Sequence, residues 1–141
     1  MRITRALLLA QVGATLVLSP WITGCSDDDD GTGPNSTLVG TWNATSIQAL
    51  GNDFVALGMD LTLTLTEAGD YTLEVSGDLI GACAPNPSCT QNGPYTNTET
   101  QITLDPGTAE EVTFSYVIQG TTLTFTGAID GTPVVFTFTR G

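Results

Sequence analysis

From Leu61 onward, threonine and large apolar residues trade places at every second position. Leu61, Leu63 and Leu65 alternate with Thr62, Thr64 and Thr66, and Tyr71, Leu73 and Val75 with Thr72, Glu74 and Ser76. Val112, Phe114, Tyr116 and Ile118 alternate with Thr113, Ser115 and Val117; Leu123 and Phe125 with Thr122, Thr124 and Thr126; Val134, Phe136 and Phe138 with Val135, Thr137 and Thr139. Successive strand residues point to opposite faces, so a period of two predicts strands with one buried face. Threonine suits the outer face because its branched Cβ fits a pleated backbone. No segment carries a sustained helical period, and the chain reads as all-β.

The connections between the runs are short. Glu67-Ala68-Gly69-Asp70, Gln119-Gly120 and Asp130-Gly131 have hairpin chemistry,. Strands joined by tight turns pair with their sequence neighbours in an antiparallel meander. Eight strands are expected, near 38–49, 58–66, 71–76, 93–97, 100–104, 111–118, 121–127 and 133–139. In the first, Leu38, Trp42 and Ala44 share a face, but Ile47 and Ala49 have the opposite parity. That predicts a bulge near Thr45 or Ser46. An eight-stranded meander removes its edges by closing into a barrel; the alternative is a two-sheet sandwich.

The first 36 residues have another character. Arg2 and Arg5 precede an apolar stretch from Ala6 to Leu18, about 13 residues long and too short to span a ~30 Å hydrocarbon core,. It suits the apolar region of an export signal. Ile22-Thr23-Gly24-Cys25 then resembles the lipobox of bacterial lipoproteins. The resemblance implies cleavage after residue 24 and palmitate-type acyl chains at Cys25, giving durable attachment at ~0.8 kcal/mol per buried methylene. Residues 1–24 are thus expected to be a signal peptide, 25–36 a lipidated acidic tether and 37–141 the barrel. Ser26-Asp27-Asp28-Asp29-Asp30 reads as a solvated acidic run,. It also resembles the surface-export signal of Bacteroidetes-type lipoproteins, which implies an outer-membrane lipoprotein facing the periplasm or the cell surface.

Charge narrows the chemistry further. After cleavage, 15 acidic residues face a single base, Arg140, with no Lys and no His. Schiff-base catalysis, Ser-His or Cys-His nucleophiles and histidine metal sites lack their residues. Nucleic-acid backbones need clustered cations, so no nucleic-acid partner is expected. No catalytic residue, metal site or cofactor is expected.

Gly40-Thr41-Trp42 looks like the Gly-x-Trp signature of the lipocalin superfamily. The Glu67 to Thr72 hairpin, the Gly93-Pro94-Tyr95 turn and the last strand, Phe136 to Arg140, follow in the order of short bacterial lipocalin-like domains. The resemblance covers residues 36–141 and implies that Arg140 packs over Trp42 to close one end of the barrel. The chain is shorter than larger lipocalins and lacks an evident helix after the barrel, which weighs against a roomy cavity.

Cys83 and Cys89 are the remaining thiols in an exported chain and are expected to form a disulfide,. It would staple the long irregular stretch from Gly77 to Asn92. The connection from Gly51 to Met59 is apolar, and Phe54, Leu57 and Met59 are candidates for a lid over the barrel mouth, or for a plug. The remaining acids are scattered near turns. Glu110 and Glu111 are adjacent, and on a strand they would point to opposite faces, which reads as solvated charge. The sequons at Asn35 and Asn43 are read as chance matches.

An eight-stranded barrel is just wide enough to be filled by its side chains or to hold one small ligand. With Trp42, Phe114, Tyr116, Phe125, Phe136 and Phe138 inward, the count favours a filled interior. The expected function is binding by a membrane-anchored lipoprotein, either of a small apolar ligand or of another surface protein. The alternative is a structural or interaction module with a filled barrel and no small-molecule ligand.

Overall fold

A computed structural model describes residues 37–141. The expected signal peptide (1–24), the expected lipid attachment at Cys25 and the expected tether (25–36) lie outside the described residues. Nine strands run in chain order: β1 (Gly40–Ala49), β2 (Asn52–Asp53), β3 (Asp60–Leu65), β4 (Asp70–Ser76), β5 (Ser88–Asn97), β6 (Gln101–Leu104), β7 (Val112–Gln119), β8 (Thr122–Ile129) and β9 (Thr132–Arg140). All neighbours are antiparallel. The two-residue β2 is a clip on the end of β1, and the other eight strands form the meander. Pairing of β1 with β9 closes it, from Trp42↔Arg140 to Ala49↔Val134. The molecule is a closed eight-stranded antiparallel barrel and not a sandwich.

Closure depends on the bulge in β1. The ladder to β9 slips between Ala44 and Ser46, leaving Thr45 as the extra residue. Trp42 and Ile47, of opposite parity, are therefore both buried inside. The first half of β1 pairs with β3, Gly40↔Leu65 to Asn43↔Thr62, while most of its length pairs with β9. One bent strand thus serves both sides of the seam.

The inward faces of β3, β7, β8 and β9 supply half of the core, including Leu61, Leu63, Leu65, Phe114, Tyr116, Leu123, Phe125, Phe136 and Phe138. Threonine lines the outside, in cross-strand pairs such as Thr103 with Thr113, whose hydroxyls lie 2.9 Å apart. The Asp130-Gly131 loop has positive φ at both positions, 49° and 77°, the form whose twist matches the strands it joins,.

β5 begins five residues earlier than its sequence predicts. Ser88 to Asn92 pairs with β4 through to Ser76↔Ser88, so the last five residues of the expected irregular stretch are strand. These residues have no apolar alternation because their side chains are mostly exposed. β4 needs a partner along its length, and backbone pairing alone provides it. On its other edge β5 pairs with β6 only over Tyr95 to Asn97. The short β6 therefore leaves the sheet parted on that side, beside the 105–111 loop.

Candidate functional site

The two ends of the barrel are built differently. At one end Leu38 and Trp42 are fully buried, and the Trp42 indole Nε1–H donates to the Leu38 carbonyl at 2.8 Å. The Arg140 guanidinium carbon lies 4.4 Å from the centre of the Trp42 ring. Its Nη1 donates to the Val39 carbonyl at 3.0 Å, and its Nη2 donates to that of Thr37. Gly40 makes room for this arrangement: a Cβ there would lie 2.9 Å from Arg140 Nη1, and its φ of 139° is one that side chains disfavour,. Two tyrosines tie down neighbouring turns. Tyr95 donates to the Thr66 carbonyl at 2.9 Å and Tyr116 to that of Thr98 at 2.8 Å. Burial raises the pKa of the Tyr95 hydroxyl above its usual value. This end is shut.

The opposite end is hollow. An open cavity of about 550 Å³ enters between the 77–87 loop, the 105–111 loop and the β8–β9 turn. One wall is aromatic, from Phe114, Phe125, Phe136 and Phe138 on β7 to β9. The facing wall is aliphatic, with Leu61, Leu63, Leu73 and Val75 on β3 and β4 and Met59 just before β3. The aromatic count favoured a filled interior. The rings instead pack on one another along one wall: Phe114 and Phe125 stack at 5.7 Å, and Phe125 meets Phe138 edge-on at 5.5 Å. Smaller side chains opposite leave the space unfilled. Leu73 records this directly, since it faces inward yet is only half-buried.

Polar groups ring the mouth. Asp105, Glu110, Glu111 and Asp130 line it, together with Gln91. The sequence places Glu110 and Glu111 at the edge of a strand with opposed directions. β7 begins at Val112, so both belong to the loop before it, and both line the cavity. A loop is free of strand alternation, so that reason for separating the pair does not hold; both side chains are exposed, as solvated charge is, and Glu111 also accepts the Gly107 amide at 2.6 Å. Asp105 accepts the Tyr71 hydroxyl at 2.5 Å. Burial, then this bond and the carboxylate charge, pushes the Tyr71 pKa up to about 12. A Cβ on Gly93 would collide with Asp105, at 2.0 Å from Oδ1, so the glycine is what lets the carboxylate reach Tyr71.

The candidate lid residues part company. Met59 is fully buried and lines the cavity, Phe54 is half-buried against the core, and Leu57 is exposed. The connection that carries them is pinned by Asp53, whose carboxylate accepts from Ser46 Oγ at 2.8 Å, Gln48 Nε2 at 2.9 Å and the Val55 amide at 3.1 Å. The Ser46 bond above all holds the Asp53 pKa below the usual value.

Cys83 and Cys89 are joined by a disulfide. It anchors the 77–87 loop to β5 beside the mouth. Asp78 organises the same loop, accepting from the amides of Ile80, Gly81 and Cys83 at 2.7 to 3.0 Å. Burial works to raise its pKa, but these backbone bonds together outweigh it and the carboxyl stays below the usual value. Closing a seven-residue loop is worth about 2.4 kcal/mol in the chain-entropy account. Replacing both cysteines by serine should therefore lower stability by roughly 2 kcal/mol, read as a drop in the urea midpoint with an unchanged slope. An unchanged midpoint would show that Asp78 alone holds the loop.

Among the described residues no group of three or more His, Cys, Asp or Glu is placed to hold a metal ion. No helix there is long and apolar enough to cross a membrane.

No family model matches the chain. No curated protein matches it. Solved structures do resemble it. A lipoprotein, YedD, from Klebsiella pneumoniae subsp. pneumoniae MGH 78578 aligns over 78% of this chain and 76% of its own, at 17% identity and a TM-score of 0.48. Fatty-acid-binding protein 1 of Echinococcus granulosus aligns over 74% and 97%, at 16% identity and a TM-score of 0.42. The fluorescent protein UnaG aligns over 74% and 98%, at 11% identity and a TM-score of 0.42. The barrel itself is established by its own closed ladder of strand pairs.

Proposed function

We propose that this protein is an exported, lipid-anchored lipoprotein of the outer membrane whose barrel carries one small apolar ligand, and that it is a binding protein and not an enzyme. The observation that carries the reading is the open cavity of about 550 Å³ between an aromatic and an aliphatic wall. Ligand sites are concave, mostly apolar, and typically 300–1,000 Å³ in volume. The anchor reading rests on the Ile22-Thr23-Gly24-Cys25 box. Chain direction is compatible with it. The chain enters the barrel at the shut end, where Arg140 holds the carbonyls of Thr37 and Val39. The described chain therefore begins at the end of the barrel away from the mouth.

Mass spectrometry of small molecules that co-purify with the protein tests the ligand directly. The variant Leu73→Trp is the matching control. It places bulk in the hollow from a side chain that is already half-exposed there. Affinity for an apolar probe should fall at least about tenfold, or ~1.4 kcal/mol, with Tm held or raised. An unaltered affinity would remove the cavity as the binding site. Metabolic labelling with a fatty acid tests the anchor, and label that persists in Cys25→Ala would remove it.

A further inference from the structure

We propose that the cavity selects its ligand by the charge of the head group: it takes amphiphiles with a cationic head, such as an alkylammonium, and rejects carboxylates of the same chain length. The inference rests on the ligand-binding reading above and names the class of ligand within it. The cavity makes the site, and the groups at its mouth give that site its sign.

An amphiphile seated tail-first between the two walls leaves its head at the mouth. There the ionisable side chains that line the cavity, apart from Tyr71, are Asp105, Glu110, Glu111 and Asp130. The neutral side-chain donors at the mouth are largely engaged within the protein. Tyr71 donates to Asp105, and Gln91 donates through Nε2 to the Ala82 carbonyl at 3.0 Å. Among the described residues the one cationic side chain is Arg140. It lies at the shut end, over Trp42 and bound to two backbone carbonyls. A ligand carboxylate at the mouth would find no cation and sit among like charges. An ammonium head in the same place meets opposite charge and needs no specific donor to receive it. The wider field has the same sign, since the described residues carry 11 acids against one base. Such a field also speeds the arrival of cations, in a manner that salt suppresses.

The test is calorimetric titration of the whole protein with decyltrimethylammonium, decanol and decanoate, each below its micellar concentration and at low ionic strength. The cation is expected to bind at least about tenfold more tightly than the alcohol and about a hundredfold more tightly than the carboxylate. Raising salt until the Debye length falls to about 3 Å should shrink both ratios. The triple variant Glu110→Gln, Glu111→Gln, Asp130→Asn should weaken the cation, strengthen decanoate and so collapse the ratio. Asp105 is left intact because it holds Tyr71, and glutamine is chosen at 111 because its amide oxygen can still accept the Gly107 amide that Glu111 holds at 2.6 Å. If decanol binds and decanoate matches the ammonium, the charge selection is overturned while ligand carriage stands. If none of the three binds, the proposed function falls and this inference with it. A triple variant that keeps the full ratio would overturn the assignment to the mouth.

Discussion

Truncation of Trp42 to alanine is expected to cost about 3–5 kcal/mol, the range for a large aromatic removed from a packed core. For a domain of this size that lowers Tm by roughly 15–30 °C. The indole is fully buried, and its loss leaves the Leu38 carbonyl without its donor. The loss also removes the surface on which Arg140 rests. Three variants separate these contributions. Trp42→Phe keeps an aromatic ring but drops the Nε1–H, and should recover most of the volume term. Arg140→Ala should cost only about 0.5–2 kcal/mol, because an exposed side chain gives up one cation–ring contact and two hydrogen bonds to the carbonyls of Val39 and Thr37,. In the Trp42→Ala background, Arg140→Ala should cost less than it does alone, since contacting residues are not additive. Equal costs in the two backgrounds, with Trp42→Ala itself below about 1 kcal/mol, would show that this pair does not close the barrel.

That pair also shows how far the sequence could be read. Trp42 and Arg140 are 98 positions apart, and it is the resemblance to lipocalin-like domains, not composition or alternation, that joins the two side chains; the residues themselves give only the strand geometry that lets them meet. Period-two alternation gives each strand's inner face, short turns give the order of strands, and the parity change after Ala44 gives the bend that lets β1 meet β9. Closure then places the start of β1 beside the end of β9. What stayed illegible has physical reasons too. Ser88 to Asn92 is held by backbone pairing to β4 and exposes its side chains, so it has no apolar signature. The sequence reads Glu110 and Glu111 by strand alternation, but β7 starts only at Val112, and alternation says nothing about which way side chains in the preceding loop point,. The hollow was hidden because a count of aromatics does not say that they gather on one wall. Which strands carry small side chains opposite them is a property of the closed barrel, not of any one segment.

The aromatic wall supplies the second large effect. Phe125→Ala is expected to destabilise the protein by about 3–5 kcal/mol. The ring is the hub of the wall, 5.7 Å from Phe114, 5.5 Å from Phe138 and 6.5 Å from Tyr116. Each such contact adds roughly 0.5–1.5 kcal/mol beyond simple burial. Ordinarily a cavity left by truncation collapses in part, which softens the cost. Here the lost ring borders space that is already open, and the strands around it are fixed by closure, so the new volume should merge with the old. The variant should therefore be less stable alone yet accept a bulkier apolar ligand. At saturating ligand its Tm should recover more than that of the parent protein, because a ligand that binds only the folded state stabilises it by RT ln(1 + [L]/Kd). A loss below about 1 kcal/mol, with the same ligand-induced shift in both proteins, would mean that Phe125 neither holds the wall nor borders the ligand. A full loss of stability without any change in ligand preference would keep the ring as a structural member and place the ligand nearer Leu61 and Leu73.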